Sequence, residues 1–111
     1  RPITGCLAFT NFFGRLAMFG SPAQVAVEME MTFDIWGANC LVMSDGLREH
    51  FGLRENELQF FTWWQDATYT QFLDEHCENI ISSALVTEPD SLKEAGRLGV
   101  KYELEFWQSL A

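Results

Sequence analysis

The sequence has few basic residues, few cysteines and no long apolar run. Only 7 Lys and Arg stand against 16 Asp and Glu, which gives a formal net charge of −9. A chain of this charge repels phosphate backbones and anionic lipid, so we expect no nucleic-acid partner and no membrane-surface partner. No apolar run reaches the ~18 residues of a membrane-spanning helix, and no basic segment followed by an apolar one opens the chain.

The cysteines are three in number and form no Cys-x-x-Cys motif, so they do not indicate a disulfide framework. We therefore expect buried structural thiols and a reducing, cytoplasmic setting. The sequence contains no repeat and no linker rich in Gly, Pro or Ser, and we expect residues 1–111 to be a single all-helical unit. It begins with Arg1 rather than methionine, and we expect it to be part of a longer protein.

Apolar residues recur three or four positions apart in several segments, a spacing that is typical of amphipathic helices. Nothing in the sequence resembles a strand or a hairpin. We predict an all-α fold, an antiparallel bundle of four to five helices joined by short connections. The predicted helices cover about residues 4–19, 22–51, 57–66, 70–86 and 91–110, with one apolar stripe on the second helix running from Met29 to Phe51.

Two helix starts carry a capping box, in which a hydroxyl and a Glu or Gln three residues later satisfy free backbone N–H groups. Ser21 precedes Pro22 and is followed by Gln24, which predicts that the second helix begins at Pro22. Ser91 and Glu94 have the same spacing, which predicts a helix beginning beside Ser91, after Pro89 has ended the preceding one.

One carboxylate on the last predicted helix has mainly apolar neighbours. The residues three and four positions away from Glu103 are Gly99, Val100, Phe106 and Trp107. A carboxyl group held among them is partly desolvated, which raises its pKa toward a value useful in proton transfer. The alternative is a boundary glutamate whose carboxylate reaches solvent past Trp107.

Other polar clusters have ordinary explanations. Glu28, Glu30 and Asp34 suggest either a metal site or, as we expect, the solvated face of a long helix. His76 lies among apolar neighbours and is interpreted as a core histidine. Neither histidine follows a Glu or Asp by three positions, the spacing found in helical di-iron sites, so we expect no metal and no cofactor.

Three segments resemble the TenA/thiaminase-II family of the haem-oxygenase-like helical superfamily. They are Ala-Phe-Thr-Asn-Phe at 8–12 with Gly-Ser at 20–21, Trp-x-x-x-x-Tyr-x-Gln-Phe at 64–72, and Tyr-Glu-x-x-Phe-Trp at 102–107. Their order and spacing hold over about residues 6–111. Members of the family are about twice this length, so the resemblance covers their C-terminal half.

This resemblance implies thiamin salvage or degradation, in which an aminopyrimidine is stacked between aromatic rings and a C–N bond is hydrolysed. Glu103 corresponds to the family's proton-handling glutamate. Thr32 stands at the nucleophile position, where most members carry Cys and a sister group Glu. The resemblance implies a substrate-binding set made of Phe9, Trp36, Tyr69 and Tyr102. We expect a homo-oligomer, or a missing N-terminal half, to complete the pocket.

Two departures from the family pattern leave other functions open. Thr32 has no base near it in the sequence to activate its hydroxyl, and Phe9 lacks the ring hydroxyl of the tyrosine that it replaces. The chain is therefore interpreted as an aminopyrimidine C–N hydrolase with an altered nucleophile position. The alternatives are a non-hydrolytic small-molecule binder or oxygenase relative, and a helical interaction module whose apolar face pairs with another copy.

Overall fold

A computed structural model describes residues 3–111, which form five α-helices and one short 3-10 turn. The helices are α1 (Thr4–Phe19), α2 (Pro22–Phe51), α3 (Gln59–Trp63), α4 (Ala67–Ala84) and α5 (Pro89–Leu110), and the turn is Glu55–Glu57. No strand occurs in this part of the chain, so the predicted all-α class is confirmed. Among the same residues, no helix has an apolar stretch of the length that crossing a bilayer requires.

The start and end of α2 follow from its local sequence. The backbone N–H of Gln24 donates to Ser21 Oγ at 3.2 Å, and the Ser21 N–H donates to Gln24 Oε1 at 2.8 Å. This reciprocal pair is the predicted capping box, and Pro22 occupies the first helical position. The helix ends at Phe51 because Gly52 adopts a φ of +66°, which is favourable for glycine alone.

The start of α5 differs from the sequence prediction. The helix begins at Pro89, with Glu88 as its N-cap, rather than beside Ser91. The fixed φ of proline suits the first turn of a helix, so Pro89 begins α5 instead of only ending α4. Ser91 Oγ lies 3.0 Å from the Glu88 carbonyl oxygen, and Glu94 forms an ion pair with Arg97. The Ser91 capping box was therefore a wrong prediction.

The chain forms two compact units. The first contains residues 3–32 together with Cys77–Ala111, and the second is Phe33–His76. In the first unit, α1 and α5 run antiparallel, because residues later in α1 contact residues earlier in α5. Cys6 Sγ lies 3.8 Å from Ser109 Oγ. Further along α1, the ring centroid of Phe9 lies 5.7 Å from that of Phe106, and the ring centroid of Phe12 lies 5.2 Å from that of Tyr102.

Glycines on α1 and α5 allow close helix packing in the first unit. A Cβ added at Gly5 would lie 2.6 Å from the Glu105 carbonyl oxygen, so α1 approaches α5 closely only without a side chain there. On α5, a Cβ at Gly96 would lie 3.0 Å from Val27 of α2. The buried face of α5 is a seam of mostly small residues, namely Leu92, Ala95, Gly96, Gly99 and Glu103.

Aromatic contacts and a hydrogen bond from the turn between α3 and α4 to α2 hold the second unit together. The rings of Phe33 and Trp64 meet edge to face at 5.0 Å, and Gln65 Nε2 donates to the Gly37 carbonyl oxygen at 2.7 Å. Leu58 is fully buried. The predicted apolar stripe of α2 is wrong at its end, because Phe51 precedes the terminating Gly52 and is 74% exposed.

Candidate functional site

Two glutamate side chains are buried in the first unit, one on α2 and one on α5. Glu28 is 0% exposed and Glu103 is 1% exposed. The side chain of Glu28 lies against Gly99, where an added Cβ would lie 3.0 Å from Glu28 Cγ and 3.3 Å from Oε1. The glycine therefore leaves the space that the Glu28 carboxyl group occupies. The burial expected of Glu103 from its helical neighbours is confirmed.

In each carboxyl group, Oε1 accepts a hydrogen bond, and Oε2 accepts none from residues 3–111. Thr32 Oγ1 lies 3.2 Å from Glu28 Oε1 and 2.9 Å from the Glu28 carbonyl oxygen, so its single proton is offered to two acceptors. Trp107 Nε1 donates to Glu103 Oε1 at 3.2 Å. The Oε2 atoms of Glu28 and Glu103 are buried and have no hydrogen-bond partner among residues 3–111. A buried carboxylate in this state is costly unless it binds a proton or a ligand.

The burial of the pair changes its acid–base behaviour. Desolvation raises the pKa of Glu28 from its ordinary 4.5 to about 7; the Thr32 hydrogen bond opposes this rise and the nearby Glu103 charge adds to it. Desolvation also raises the pKa of Glu103, against the effect of its hydrogen bond from Trp107. Because each negative charge disfavours the other, the pair favours states that hold at least one proton near neutral pH.

Thr32, a predicted catalytic residue, lies next to this pair. Thr32 is 2% exposed, and its hydrogen bond to Glu28 gives it the basic partner that the sequence did not reveal. Glu28 also interacts electrostatically with Glu103. The structure therefore connects the two predicted catalytic residues through a third residue. A carboxylate that accepts a hydroxyl proton beside a protonated carboxylic acid is an arrangement suited to acid–base catalysis.

Phe9 and Tyr102, two of the predicted substrate-binding residues, belong to the α1–α5 packing. Phe9 is buried, and its ring lies 4.9 Å from Phe13 and 5.7 Å from Phe106, centroid to centroid. Tyr102 is half-buried, and its ring lies 5.2 Å from that of Phe12. Consecutive helical residues point about 100° apart, so Tyr102 and Glu103 present their side chains in different directions from α5.

Trp36 and Tyr69, the other two predicted substrate-binding residues, belong to the second unit. Trp36 lies 6.4 Å from Trp64 between ring centroids, and Tyr69 stacks on Trp63 at 5.3 Å. The second unit also contains a cavity of about 460 Å³ with Phe33 and Trp64 in its wall. Neither Trp36 nor Tyr69 lines this cavity. Their predicted role beside Glu103 stays a prediction.

Two sequence interpretations are corrected by burial. Glu28 was expected on a solvated helix face, yet it is fully buried, because Gly99 of α5 makes room for it. No residue near Glu28 in the sequence marks this contact, since Gly99 lies on a different helix. His76 was expected in the core, yet it is exposed and stacks on Phe72 at 4.9 Å between ring centroids.

The residue types that commonly bind metal ions form no metal-binding cluster in the described part of the chain. Within residues 3–111, no group of three or more His, Cys, Asp or Glu side chains is arranged to hold a metal ion. None of the three cysteines forms a disulfide within residues 3–111, and the burial expected of Cys40 and Cys77 is confirmed. Burial raises the pKa of the Cys40 thiol, which makes it a weaker nucleophile at neutral pH.

Comparisons with protein-family models, with curated proteins and with solved structures found no match. The interpretation of the site therefore rests on the sequence and on the geometry of Glu28, Thr32, Glu103 and Trp107.

Proposed function

We propose that the chain is a hydrolase of the C–N bond of an aminopyrimidine, with Glu103 as general acid and base and Thr32 as nucleophile. The observation that carries the proposal is the pair of buried carboxyl groups, Glu28 and Glu103, each with one oxygen unpartnered among residues 3–111. A general acid is most effective when its pKa lies near the working pH, and desolvation moves both groups in that direction. The resemblance to TenA proteins supplies the substrate class.

The first half of the proposed reaction breaks the C–N bond. Thr32 Oγ1 attacks the carbon that bears the amine, and its proton passes to the Glu28 carboxylate, the acceptor at 3.2 Å. A C–O bond forms as the C–N bond breaks, and both electrons of the broken bond go to nitrogen. The step starts from the singly protonated pair in which Glu103 holds the proton and Glu28 is ionised, a state in exchange with the one in which Glu28 holds it. Glu103 gives this proton to the nitrogen, which leaves as ammonia.

The second half restores the side chains. A water molecule gives a proton to the Glu103 carboxylate and attacks the same carbon, breaking the bond to Thr32 Oγ1. The threonine oxygen then takes back its proton from Glu28. The products are an alcohol and ammonia, and Glu28, Thr32 and Glu103 return to their starting states.

Ammonia release from an aminopyrimidine that carries an aminomethyl group tests the proposal. We expect the wild-type chain to release ammonia and the Glu103→Gln and Glu28→Gln variants to lose about 100-fold or more in kcat. Glu105→Gln is the matched control, because Glu105 lies on the same helix and is exposed. Circular dichroism checks that each variant folds. No ammonia from the wild type, or an undiminished rate in Glu103→Gln, contradicts the proposal.

One contact favours a non-hydrolytic small-molecule binder or oxygenase relative as the second candidate. The shorter bond of Thr32 Oγ1, at 2.9 Å, goes to the Glu28 carbonyl oxygen, and this is a common structural bond of threonine within helices. In this candidate the Thr32 proton stays hydrogen-bonded to the backbone carbonyl oxygen of Glu28, and the hydroxyl is not activated as a nucleophile. Saturable binding of the same aminopyrimidine without ammonia release is the result that this candidate predicts.

A third candidate is a helical interaction module, proposed here as a homo-oligomer. Large apolar side chains are exposed in the first unit, among them Phe19 at 80% and Val86 at 90%. This candidate requires these side chains to form a contiguous apolar patch, which is typical of interaction sites. Sedimentation of the wild type against a Phe19→Ser variant tests this candidate, which predicts an oligomer that the substitution dissociates; a wild-type monomer opposes it.

The expected cytoplasmic setting is also part of the proposal. It rests on the odd number of cysteines in the sequence.

A further inference from the structure

A cleft in the first unit is lined by a basic residue and by no acidic residue, although the chain as a whole has a net charge of −9. It has a volume of about 410 Å³, within the range of small-molecule sites. Side chains of α1 spaced three and four residues apart form one wall, and two side chains of α5 form the other. The lining residues are Ala8, Asn11, Phe12, Arg15, Leu98 and Tyr102.

The lining includes one exposed arginine, Arg15, which forms no ion pair with the described residues 3–111. Every other described arginine forms an ion pair: Arg48 with Asp45 and Glu55, Arg54 with Glu57, and Arg97 with Glu94. Arg15 forms none with any residue from 3 to 111. An unpaired arginine is informative here, because acidic residues outnumber basic ones by 16 to 7 and partners are plentiful.

The other lining groups complement an anion with a flat apolar body. Asn11 and Tyr102 can donate hydrogen bonds, and no acidic residue lines the cleft. Phe12 is 5% exposed and forms the apolar floor with Leu98, beside the half-buried ring of Tyr102. Guanidinium groups bind carboxylate and phosphate groups through two parallel hydrogen bonds. We propose that this cleft binds a small aromatic ligand carrying one carboxylate or phosphate group, with Arg15 as its anion-binding residue.

This site is separate from the proposed reaction. Neither Glu28 nor Glu103 lines the cleft. Its occupant is an anion, whereas the carboxyl pair suits an amine. Binding at the cleft therefore succeeds or fails independently of ammonia release.

Titration of the wild-type chain with benzoate and with phenyl phosphate, followed by amide chemical shifts, tests the proposal. We expect saturable shifts at Ala8, Asn11 and Leu98 with a Kd of about 1 mM or lower for at least one of the two probes. Which probe binds more tightly identifies the anionic group. Benzyl alcohol and benzylammonium, which share the ring without the anion, are expected to bind at least about tenfold more weakly.

Variants assign the binding to Arg15. Arg15→Gln should weaken binding about tenfold or more. Arg15→Lys should weaken it less, because lysine keeps the positive charge but lacks the paired N–H donors of the guanidinium group. Lys93→Gln is the matched control: it makes the same change in net charge at an exposed position of α5 outside the cleft, and its Kd should stay within about twofold. Absent shifts, equal binding of benzyl alcohol, or unchanged binding in Arg15→Gln overturns the proposal.

Discussion

Replacing Glu28 by glutamine removes one titratable group from the buried pair and keeps its shape. In the wild type, the folded state binds the Glu28 proton more tightly than the unfolded state does, because burial raises its pKa from 4.5 to about 7. The favourable contribution of this proton is complete below pH 4.5 and is lost as the pH rises through about 7. Over this window the free energy of unfolding of the wild type should therefore fall.

The size of the effect follows from the pKa change. One pKa unit corresponds to about 1.4 kcal/mol, so Glu28 alone lowers the free energy of unfolding by about 3 kcal/mol between pH 4.5 and 8. Glu103 changes stability in the same direction, because its pKa is also raised by burial. In Glu28→Gln, the Glu28 contribution disappears. The glutamine N–H₂ group adds a desolvation cost of about 1–3 kcal/mol, but this cost does not depend on pH.

The assay is urea unfolding at several pH values from 4.5 to 8, followed by far-UV circular dichroism. The stability of the wild type minus that of Glu28→Gln should fall by about 3 kcal/mol across the range, equivalent to a relative loss in Tm of about 10 °C. The exposed carboxylates contribute equally to both proteins and cancel. Glu105→Gln, an exposed control, should give a flat difference. A flat difference for Glu28→Gln would mean that burial does not raise the pKa of Glu28.

Three further substitutions test the packing and the helix ends by chemical unfolding. Ser21→Ala should cost about 1 kcal/mol, because it removes the acceptor for the Gln24 N–H; an unchanged midpoint contradicts the capping box. Gly5→Ala should cost about 1–3 kcal/mol by crowding α5, whereas Gly14→Ala, on the same helix with open space around it, should be neutral or stabilising; equal effects would contradict the close approach. Gly52→Ala should cost about 1 kcal/mol at its positive φ, and a stability gain would rule out this backbone conformation.

The features that the sequence predicted correctly are those fixed by nearby residues. The bounds of α1 and α2 were predicted because apolar spacing, the Ser21 capping box and Gly52 all act within a few positions. The burial of Glu103 could be predicted because its apolar neighbours lie one turn away on the same helix. The start of α5 was misplaced because proline both ends and begins helices, and spacing alone does not distinguish the two.

The second carboxyl group of the site could not be found from the sequence. Glu28 has apolar Val25 and Met31 three residues away but polar Gln24 and Thr32 four residues away, so helical spacing alone does not distinguish a buried position from a solvated one. Its burial depends on Gly99, whose missing side chain leaves room on a different helix. A glycine within an apolar helix face was the available signal, since such a position often marks a close approach from another segment.

Glu28 and Glu103 form an interacting, buried pair of carboxyl groups that retains a proton near neutral pH. The most direct test is a titration of the glutamate side-chain carboxyl carbons by ¹³C NMR in the wild type and in Glu103→Gln. We expect the Glu28 resonance to titrate near pH 7 in the wild type and at lower pH in the variant, which lacks the neighbouring charge. Titration of both glutamates near pH 4.5, with no change in Glu28 when Glu103 is replaced, would contradict the claim.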